Sequence, residues 1–451
     1  MPRIGLGCGL GVGGPRVWTP ARLPSGRVLR WASGRSLAQF AAGTTAGSGA
    51  VSSGGTAGRW ADLSATADAF VQGTAGIRPT VKTHTKGRGC AVNGSGEATG
   101  GGKYLATASS VTGVKHVYVV ATVVGLDTTR SALPAPGVLF VDNFHGFVGG
   151  ESVVTGSTLL TGNNGTNNFI QHDLSAYTRD GASISIAAAD AGYGRRRYVY
   201  KVTCGTTMTA GRLTALKSYF AFDGYHARGS LHEIVAVSAS TTSGEQAQLQ
   251  AYLENYWLRG GQILVAGDSL MAGYNVTETQ GPGGLLSEAY NRCVSVATIA
   301  IPGQGVTSSV SPLTSTMTVD DPAKVLALKG SFSNIIVALA GTNDLYNGRT
   351  AVQLLADLTA YVAAAKALGH RVIVGTVAPR SDAPWTAPME TQRTVYNTAL
   401  RATHAGADGF VDVDAINPAR QADGVHWTDV GTAAVVTGAG GVKDACDALL
   451  P

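Results

Sequence analysis

Residues 263–270 read Ile-Leu-Val-Ala-Gly-Asp-Ser-Leu, an apolar run that ends in a glycine, an acid and a serine. The apolar part predicts a buried strand. A serine just beyond the end of such a strand lies at the edge of a sheet, where open α/β sheets bind their ligands. Four residues are weak support by themselves. A catalytic role for Ser269 requires that the rest of the chain supply a base, an orienting acid and oxyanion donors.

Apolar runs recur after this stretch and alternate with helical patterns. The apolar runs of this half of the chain are 262–266, 294–300, 334–340, 371–377 and 409–413. Between them lie two predicted helices, Ala351–Leu368, with Val352, Leu355, Val362 and Ala365 on one side, and Met389–Ala405, with Val395, Ala399 and Ala402 on one side. Near-continuous apolar strands separated by helices predict a five-stranded parallel sheet covered on both faces. We therefore expect a three-layer α/β/α domain over residues 261–451.

Four of these strands are followed by polar or turn-forming loops. The loops are Gly-Asp-Ser-Leu at 267–270, Ile-Pro-Gly-Gln-Gly at 301–305, Gly-Thr-Asn-Asp at 341–344 and Asp-Gly-Val-His-Trp at 423–427. Because parallel strands end on one edge of a sheet, these loops are expected to converge there. Among the histidines of this domain, His426 lies in a loop after a late strand and beside an acid. It is therefore the residue best placed to take the proton of a serine hydroxyl.

Together, and in this order, the four loops resemble the SGNH (GDSL) hydrolase family over residues 261–451. The resemblance implies a flavodoxin-like fold and a serine esterase. It makes Ser269 the nucleophile, His426 the general base and Asp423 the acid that orients it, and it places the oxyanion between the backbone N–H groups of Ser269 and Gly303 and the amide of Asn343. Gly431 and Asn397 also fit the family pattern. Ala300 departs from it, because many members have a polar residue at this position.

Chemistry of this kind needs no cofactor, and no metal site is expected. The specificity pocket of the fold is built by loops, here 271–290, 304–322 and 378–390. Three aromatic residues in or near these loops and the histidine loop are expected to form walls of a substrate pocket: Tyr274, Trp385 and Trp427.

The first half of the chain has a different texture, with short apolar segments between Gly, Ser, Thr and Asn clusters. Its predicted strands are Lys115–Val124, Val138–Val141, Phe147–Gly149, Ser183–Ala188, Arg197–Thr203 and Glu233–Ala239. Many short strands with turn signals predict an antiparallel β-sandwich. A closing helix is predicted from Ser243, an N-cap with Gln246 three residues later, to Trp257, and Gly260-Gly261 ends it. We place the domain boundary there.

Softer motifs in this half resemble the laminin-G-like or concanavalin-A-like sandwich modules of phage and bacterial surface proteins, which have a jelly-roll, lectin-like build. The resemblance covers about residues 25–258. It is carried by residues 60–64 with 78–80, by Asn93-Gly94-Ser95-Gly96 with Tyr104-Leu105, and by residues 231–235 with the helix to Trp257. It implies a module that binds glycans or acts as a spacer. Residues 1–24 are expected to form a glycine-rich leader or attachment segment.

Charge is unevenly divided between the two halves. Residues 1–260 contain 23 Lys and Arg and 13 Asp and Glu, whereas residues 261–451 contain 11 and 16. Seven arginines and no acid precede Asp62. Such an asymmetry suggests different partners for the two halves. The alternatives are solvated arginines, or docking on an acidic structural protein or an anionic glycan. Nucleic acid is not an expected partner, because no recognition module accompanies the charge. The Arg195–Arg197 run is interpreted as a solvated hairpin turn.

Cysteine usage and the N-terminus bear on location. Five scattered cysteines without a C-x-x-C pair predict neither a disulfide framework nor a zinc site. The apolar N-terminal stretch is interrupted by glycine too often for a signal peptide, and no run of 18 apolar residues predicts a membrane span. A protein that acts outside a cell without a signal must leave by another route, such as lysis.

Two classes of function compete at this level. The first is a serine esterase that removes acetyl groups from cell-surface polysaccharide, carried on a phage virion as a tail-fibre-like, spike-like or decoration protein. The second is a structural or adhesive glycan-binding virion protein in which the hydrolase fold is only a platform. A lipase or thioesterase is a third interpretation of the same site. A cytoplasmic location and a homo-oligomer both remain open.

Overall fold

The computed structural model describes residues 18–66, 68–86, 89–93, 105–109, 111–123, 138–142, 146–148, 174–179, 182–183, 197–204, 213–215, 229–257, 262–277, 280–306 and 335–450. Most of the predicted leader, the Gly94–Gly96 turn and much of the 304–322 loop lie outside these residues. Trp18, assigned to the leader by sequence, packs edge-on against Tyr252 with ring centroids 5.6 Å apart. Trp18 is therefore in contact with the N-terminal region.

Within the described residues, the strands of the N-terminal region form two antiparallel sheets. These strands are β1 (Val28–Ser33), β2 (Phe40–Ala41), β3 (Arg59–Trp60), β4 (Phe70–Val71), β5 (Thr80–Thr83), β6 (Cys90–Asn93), β7 (Leu105–Thr107), β8 (Val114–Val123), β9 (Val138–Asp142), β10 (Gly146–Val148), β11 (Leu174–Arg179), β12 (Ala182–Ser183), β13 (Arg197–Cys204), β14 (Leu213–Ala215) and β15 (Gly229–Ser238). One sheet has the order β12-β11-β13-β8-β15-β6-β5, with β1 also on β15, and the other β10-β9-β14-β7-β4-β3-β2. The antiparallel architecture is confirmed; the jelly-roll, lectin-like topology stays a prediction.

The two long central strands show why these sheets pack as they do. Val117 and Val119 of β8 and Ile234 of β15 face a core that also receives Trp60 and Phe70 from the second sheet. The alternate residues of both strands form another cluster, under a helix. This period-two alternation buries both faces of the pair. The first sheet is thus sandwiched between the second sheet and the helix.

In that helix, α1 (Ser243–Trp257), the capping pair lies one residue before the predicted pair. Thr242, not Ser243, is the cap: its Oγ1 accepts a hydrogen bond from the Glu245 N–H, and its N–H donates to the Glu245 carboxylate at 2.7 Å. The pair is a capping box displaced by one position. Leu249, Tyr252, Leu253 and Trp257, which recur at helical spacing, are buried.

A buried carboxylate joins α1 to the sheet. Glu233 of β15 is fully buried and accepts hydrogen bonds from Trp31 Nε1 at 2.6 Å, from the Tyr252 hydroxyl at 2.8 Å and from Trp257 Nε1. Burial raises the pKa of this carboxyl, against the opposing effect of those donors. Because its donors come from β1 and α1, Glu233 fixes the helix to the sheet by polar as well as apolar contacts.

The C-terminal domain contains the predicted five-stranded parallel sheet, in the order β17-β16-β18-β19-β20. Its strands are β16 (Gln262–Gly267), β17 (Ser295–Thr298), β18 (Ile335–Leu339), β19 (Arg371–Gly375) and β20 (Gly409–Val411). Its described helices are α2 (Ser269–Ala272), α3 (Pro282–Ala289), α4 (Thr342–Tyr346), α5 (Ala351–Ala367), α6 (Ala387–Thr403), α7 (Val413–Ile416), α8 (Asp429–Thr437) and α9 (Val442–Leu449). None of the helices in the described part of the chain is long and apolar enough to cross a membrane.

Helices cover both faces of this sheet. One core joins the sheet to α5 and α6 through Leu354, Leu358 and Tyr396. The other joins it to α3, α8 and α9 through Leu286, Val435 and their neighbours. The three-layer arrangement leaves the carboxyl ends of the strands free to carry the loops that hold the polar residues.

The buried sides of α5 and α6 differ from the predicted ones. Val352 is 76% exposed and Val395 is 49% exposed. In α5 the buried side is centred on Leu354 and Leu358, while Val362 and Ala365 are buried as predicted. In α6 it includes Arg393 and Asn397, whose polar groups are paired with other segments and which a hydrophobic pattern therefore excludes.

Arg197 connects the two parts of the chain, and the interpretation of its run as a solvated turn is wrong at this residue. Its side chain is 2% exposed and donates to the carbonyl oxygens of Trp257 at 3.1 Å and Cys293 at 2.7 Å, while its backbone N–H donates to Ser295 Oγ at 2.8 Å. Asn291 Nδ2 also donates to Thr83 O at 2.9 Å. Ser295 begins β17, so these contacts lie at the amino-terminal edge of the parallel sheet, opposite the edge that carries Ser269.

Candidate active site

Ser269 lies directly after a sharp corner at the end of β16. Gly267 has φ +141°, and a Cβ there would lie 2.2 Å from the Leu339 carbonyl oxygen of the neighbouring strand. Only glycine fits this position. Asp268 then caps the four-residue helix α2 by accepting a hydrogen bond from the Leu270 N–H at 3.0 Å. The corner and the cap together lift Ser269 above the carboxyl edge of the sheet.

His426 and Asp423 reach this serine from the other side of the domain. The distance from His426 Nε2 to Ser269 Oγ is 2.9 Å, and the distance from His426 Nδ1 to Asp423 Oδ2 is 2.6 Å. A carboxylate can only accept, so Nδ1 carries the proton and Nε2 is free to accept the serine hydroxyl hydrogen. The three residues singled out by sequence thus form one chain of hydrogen bonds.

The loop that carries this pair, residues 421–428, is braced from within. Asp423 Oδ1 accepts the backbone N–H groups of Val425 at 2.9 Å and His426 at 3.0 Å. Gln421 donates its N–H to the His426 carbonyl at 2.7 Å and its side-chain amide to the Trp427 carbonyl at 2.7 Å. These bonds fix the backbone on both sides of the imidazole, so its position does not depend on Asp423 alone.

Gly303 and Asn343, the expected oxyanion donors, come from adjacent loops that are bonded to each other. Asn343 Nδ2 donates to the carbonyl of Gln304 at 2.9 Å, next to Gly303. This bond uses one of the two amide hydrogens, and the other is the one that an oxyanion role requires. Gly303 is exposed and has φ +80°, a backbone conformation that favours glycine.

Two buried carboxyl groups support the loops beneath. Asp344 accepts the Val306 N–H at 2.8 Å, and a Cβ on Gly305 would lie 2.7 Å from its Oδ2. Burial raises the pKa of Asp268 to about 7, and Asp344 nearby acts in the same direction. The bond from the Leu270 N–H makes Asp268 the capping residue of α2. Both carboxyl groups thus brace the loops that carry Ser269 and Asn343.

The three residues expected to line the substrate pocket differ in their exposure and contacts. Tyr274 is 47% exposed, and its ring centroid lies 4.6 Å from that of His426. Trp385 is half-buried, with its Nε1 bonded to Glu390 at 2.9 Å. The assignment of Trp427 is wrong: it is 3% exposed and packs in the core with α8 and α9, which leaves almost no surface for a ligand. Its place beneath the histidine loop is structural.

Sequence analysis included residues 380–382 in a predicted pocket loop, 378–390, but assigned no role to their side chains. Arg380 pairs with Asp382 and donates to Thr342 Oγ1 at 3.3 Å, and Ser381 donates its N–H to the Gly424 carbonyl at 3.0 Å. Tyr346, 41% exposed at the end of α4, was also missed. The available signal was the polar Pro-Arg-Ser-Asp run directly after a buried strand, at the same edge as the four loops.

Chemically, this geometry allows His426 to take the proton of Ser269 while Oγ attacks an ester carbonyl. Asp423 stabilises the imidazolium that forms, and the imidazolium then protonates the leaving alcohol. Water repeats the sequence on the acyl-enzyme. A nucleophile, base and orienting acid in this order of contact, at the carboxyl edge of a parallel sheet, are typical of serine hydrolases.

Residues 265–434 match the family model described as GDSL-like Lipase/Acylhydrolase. The C-terminal domain is thus a serine ester hydrolase of the GDSL/SGNH type. No curated protein sequence matches the chain at a significant level.

Similar solved structures align with part of the chain. A carbohydrate acetylesterase family member from Sinorhizobium meliloti is 18% identical, with a TM-score of 0.34, and the match covers 42% of this chain and 99% of that one. A GDSL-like lipase from Bacteroides thetaiotaomicron is 18% identical, with a TM-score of 0.33, 42% of this chain covered and 88% of that one. An acetylxylan esterase from Geobacillus stearothermophilus is 18% identical, with a TM-score of 0.31, 40% of this chain covered and 92% of that one.

Proposed function

We propose that the protein hydrolyses O-acyl esters of a polysaccharide, acetyl esters in the first place, through an acyl-enzyme at Ser269. The observation that carries the proposal is the exposed ring of Tyr274 beside the His426 imidazole. An aromatic ring with one side in water suits the apolar face of a sugar, and here it lies next to the base that protonates the leaving alcohol.

A second aromatic residue supports this proposal. Among the large hydrophobic side chains that are exposed in the described residues, the aromatic ones are Tyr274 and Tyr346. Tyr274 follows Ser269 by five positions and Tyr346 follows Asn343 by three, so both belong to the loops that form the site. Exposed aromatics in two of the segments that form the site favour a sugar ester over a flexible acyl chain as the group to be recognised.

The test is acetate release from acetylated xylan, used as the probe polysaccharide, by the wild-type protein and by Ser269→Ala. We expect release by the wild type only, together with an organophosphonate adduct at Ser269 that the variant lacks. Equal release by both proteins would refute the proposal. A series of p-nitrophenyl esters from acetate to octanoate tests the acyl group, and a preference for octanoate would indicate a lipase or thioesterase instead.

Tyr274→Ala tests the sugar-binding role. We expect the ratio of kcat/KM for acetylated xylan to kcat/KM for p-nitrophenyl acetate to fall about tenfold, which corresponds to ~1.4 kcal/mol. Val352→Ala, at an exposed residue on α5, serves as the control and should leave the ratio unchanged. An unchanged ratio in Tyr274→Ala would exclude the ring from substrate recognition.

The setting that we propose is a virion or another extracellular assembly released by lysis, with the basic N-terminal segment in contact with a structural protein. Its support is the build of the chain, in which antiparallel sheets and an arginine-rich start precede the esterase. A concanavalin-A-like or laminin-G-like module in the N-terminal region belongs to the same proposal. Co-sedimentation of the full chain with particles from lysed cells tests this setting, and a protein found only in the soluble fraction would contradict it.

A further inference from the structure

Residues 380–382 lie between two parts of the active site that come from different strands. On one side, Arg380 donates to Thr342 Oγ1 at 3.3 Å, and Thr342 begins α4, the helix that carries Asn343. The same guanidinium donates to both carboxylate oxygens of Asp382, at 2.9 and 2.7 Å. A bidentate pair of this kind sets the orientation of the guanidinium plane as well as its position.

On the other side, the segment contacts the loop of the catalytic histidine. Ser381 donates its N–H to the Gly424 carbonyl at 3.0 Å. Gly424 has φ +72°, and a Cβ there would lie 2.7 Å from Ser381 Oγ and 2.8 Å from the Asp382 nitrogen. The two loops therefore pack backbone against backbone. A displacement of residues 381–382 is transmitted directly to Asp423 and His426.

Two aromatic rings lie beside the guanidinium of Arg380. Its guanidinium carbon lies 5.2 Å from the ring centroid of Tyr346 and 4.8 Å from that of Trp385, and its side chain is 10% exposed. Trp385 is bonded to Glu390, which also pairs with Arg393. The hydrogen bond from Arg380 lowers the pKa of Asp382 below its usual value, against the opposing effects of burial and of the nearby Asp423. The positive charge of Arg380 thus balances the negative charge of the Asp382 carboxylate, which lies close to the catalytic acid.

We propose that Arg380 is a positioning residue that holds α4 and the 421–428 loop at a fixed separation, so that Asn343 and His426 act on the same acyl group. The inference rests on the serine esterase chemistry, and it does not depend on whether the alcohol part of the ester is a sugar. Loss of the arginine allows the oxyanion donor and the base to drift relative to each other. Misplacements of about 1 Å cost on the order of 100-fold in rate.

The experiment measures kcat and KM of the full chain with p-nitrophenyl acetate, which Ser269 can hydrolyse whatever its natural alcohol is. For Arg380→Met we expect kcat to fall about 10- to 100-fold while KM changes less than about threefold, because transition-state contacts are lost and ground-state contacts are kept. Arg380→Lys should be intermediate, since a lysine keeps the charge but not the bidentate geometry. Arg401→Met is the matched control, because Arg401 makes a comparable pair with Asp412 on the outer side of α6.

A double-mutant cycle with Asn343→Ala separates positioning from a general loss of structure. In the Asn343→Ala background the donor is already absent and only the displacement of His426 remains, so Arg380→Met should lower kcat by clearly less than it does in the wild type. An unchanged kcat in Arg380→Met, or losses that multiply fully in the double variant, would overturn the proposal. The same cycle with Arg380→Lys gives the answer where the methionine variant does not fold. If the double-mutant cycle on p-nitrophenyl acetate gives the expected result but no acetate is released from xylan, only the glycan substrate is refuted.

Discussion

The carboxylate of Asp423 accepts hydrogen bonds from both the ring and the backbone of His426, at 2.6 Å from Nδ1 and 3.0 Å from the main-chain nitrogen. Partial burial pushes the pKa of Asp423 upward, but the bonds from the His426 ring and from the Val425 and His426 N–H groups outweigh it and hold the pKa below its usual value. The acid is therefore charged at neutral pH.

Asp423→Asn tests this relationship. An amide can present its N–H to Nδ1 and so favour the tautomer whose Nε2 cannot accept the serine proton. We expect kcat/KM for p-nitrophenyl acetate at pH 7 to fall by roughly 10²- to 10⁴-fold. Asp408→Asn, whose carboxylate pairs with Lys366 away from the site, is the control. Wild-type activity in Asp423→Asn would remove this residue from the catalytic group.

Asn343→Ala tests the oxyanion hole. Removal of one preorganised donor should lower kcat by about 10²- to 10³-fold and leave KM nearly unchanged, because the donor acts on the charge that develops in the transition state. Asn347→Ala, at an exposed position at the end of the same helix, serves as the control and should have kcat close to that of the wild type. A variant that raises KM and keeps kcat would show that Asn343 binds the substrate instead.

Gly305→Ala is expected to destabilise the protein more than Gly303→Ala, although the backbone angles alone suggest the opposite order. Gly303 has φ +80° but open space around its Cα, so alanine there costs only the left-handed strain, about 1–2 kcal/mol. At Gly305 a Cβ would lie within 3 Å of the Asp344 carboxylate that holds Val306. Urea unfolding should find Gly305→Ala the less stable of the two. The reverse order would mean that Asp344 can move without cost.

Asp268 gives the free energy of unfolding a specific pH dependence. Its pKa is raised from 3.8 to about 7 in the folded chain, so the folded state binds more protons than the unfolded state between these values. The stabilisation is complete below pH 4 and is lost as the pH rises through 7, with a total on the order of 4 kcal/mol. Asp268→Asn should remove this slope and be more stable than the wild type at pH 8.

Unfolding in urea at pH 4, 6 and 8 measures this effect. Asp408 provides the opposite case, because the bonds from Lys366 and the Val372 N–H outweigh burial and lower its pKa. Its contribution to stability is lost as the pH falls, so Asp408→Asn should be destabilised at pH 8 and little changed at low pH. Parallel curves for the wild type and Asp268→Asn would show that Asp268 is ionised in the folded protein.

Glu233 is predicted to be essential for the stability of the N-terminal region and irrelevant to catalysis. Glu233→Ala leaves two tryptophan N–H groups and a tyrosine hydroxyl without their acceptor, which should cost ~3–5 kcal/mol, and Glu233→Gln should cost less. Tryptophan fluorescence during urea unfolding reports the change, since Trp31 and Trp257 are the donors. Glu254→Ala, at a partly exposed position on α1, is the control; an equal effect of both would contradict the assignment.

Sequence predicted the parallel sheet and the convergence of its loops because both depend on local patterns, namely apolar runs and the polar residues that follow them. It failed where burial is decided by distant partners. Arg393 and Asn397 are buried in α6 because Asp414 and the Val377 backbone meet them there. Trp427 lies in a catalytic loop, but α8 and α9 pack over it. Arg380 belongs to no periodic pattern, and its role depends on loops from three strands.

The contact made by Arg197 has a consequence for dissecting this protein into parts. A cut near residue 260 would remove Arg197, the buried partner of the Cys293 carbonyl and of Ser295, and would expose the surface around them to water. An excised esterase would also expose Cys293 and the ring of Tyr290, which contact Lys82 and His84 of the N-terminal region. With this surface uncovered, it should express poorly or aggregate while its catalytic edge is still intact. Introducing polar residues on that newly exposed surface, rather than moving the cut, is the practical route to a minimal enzyme.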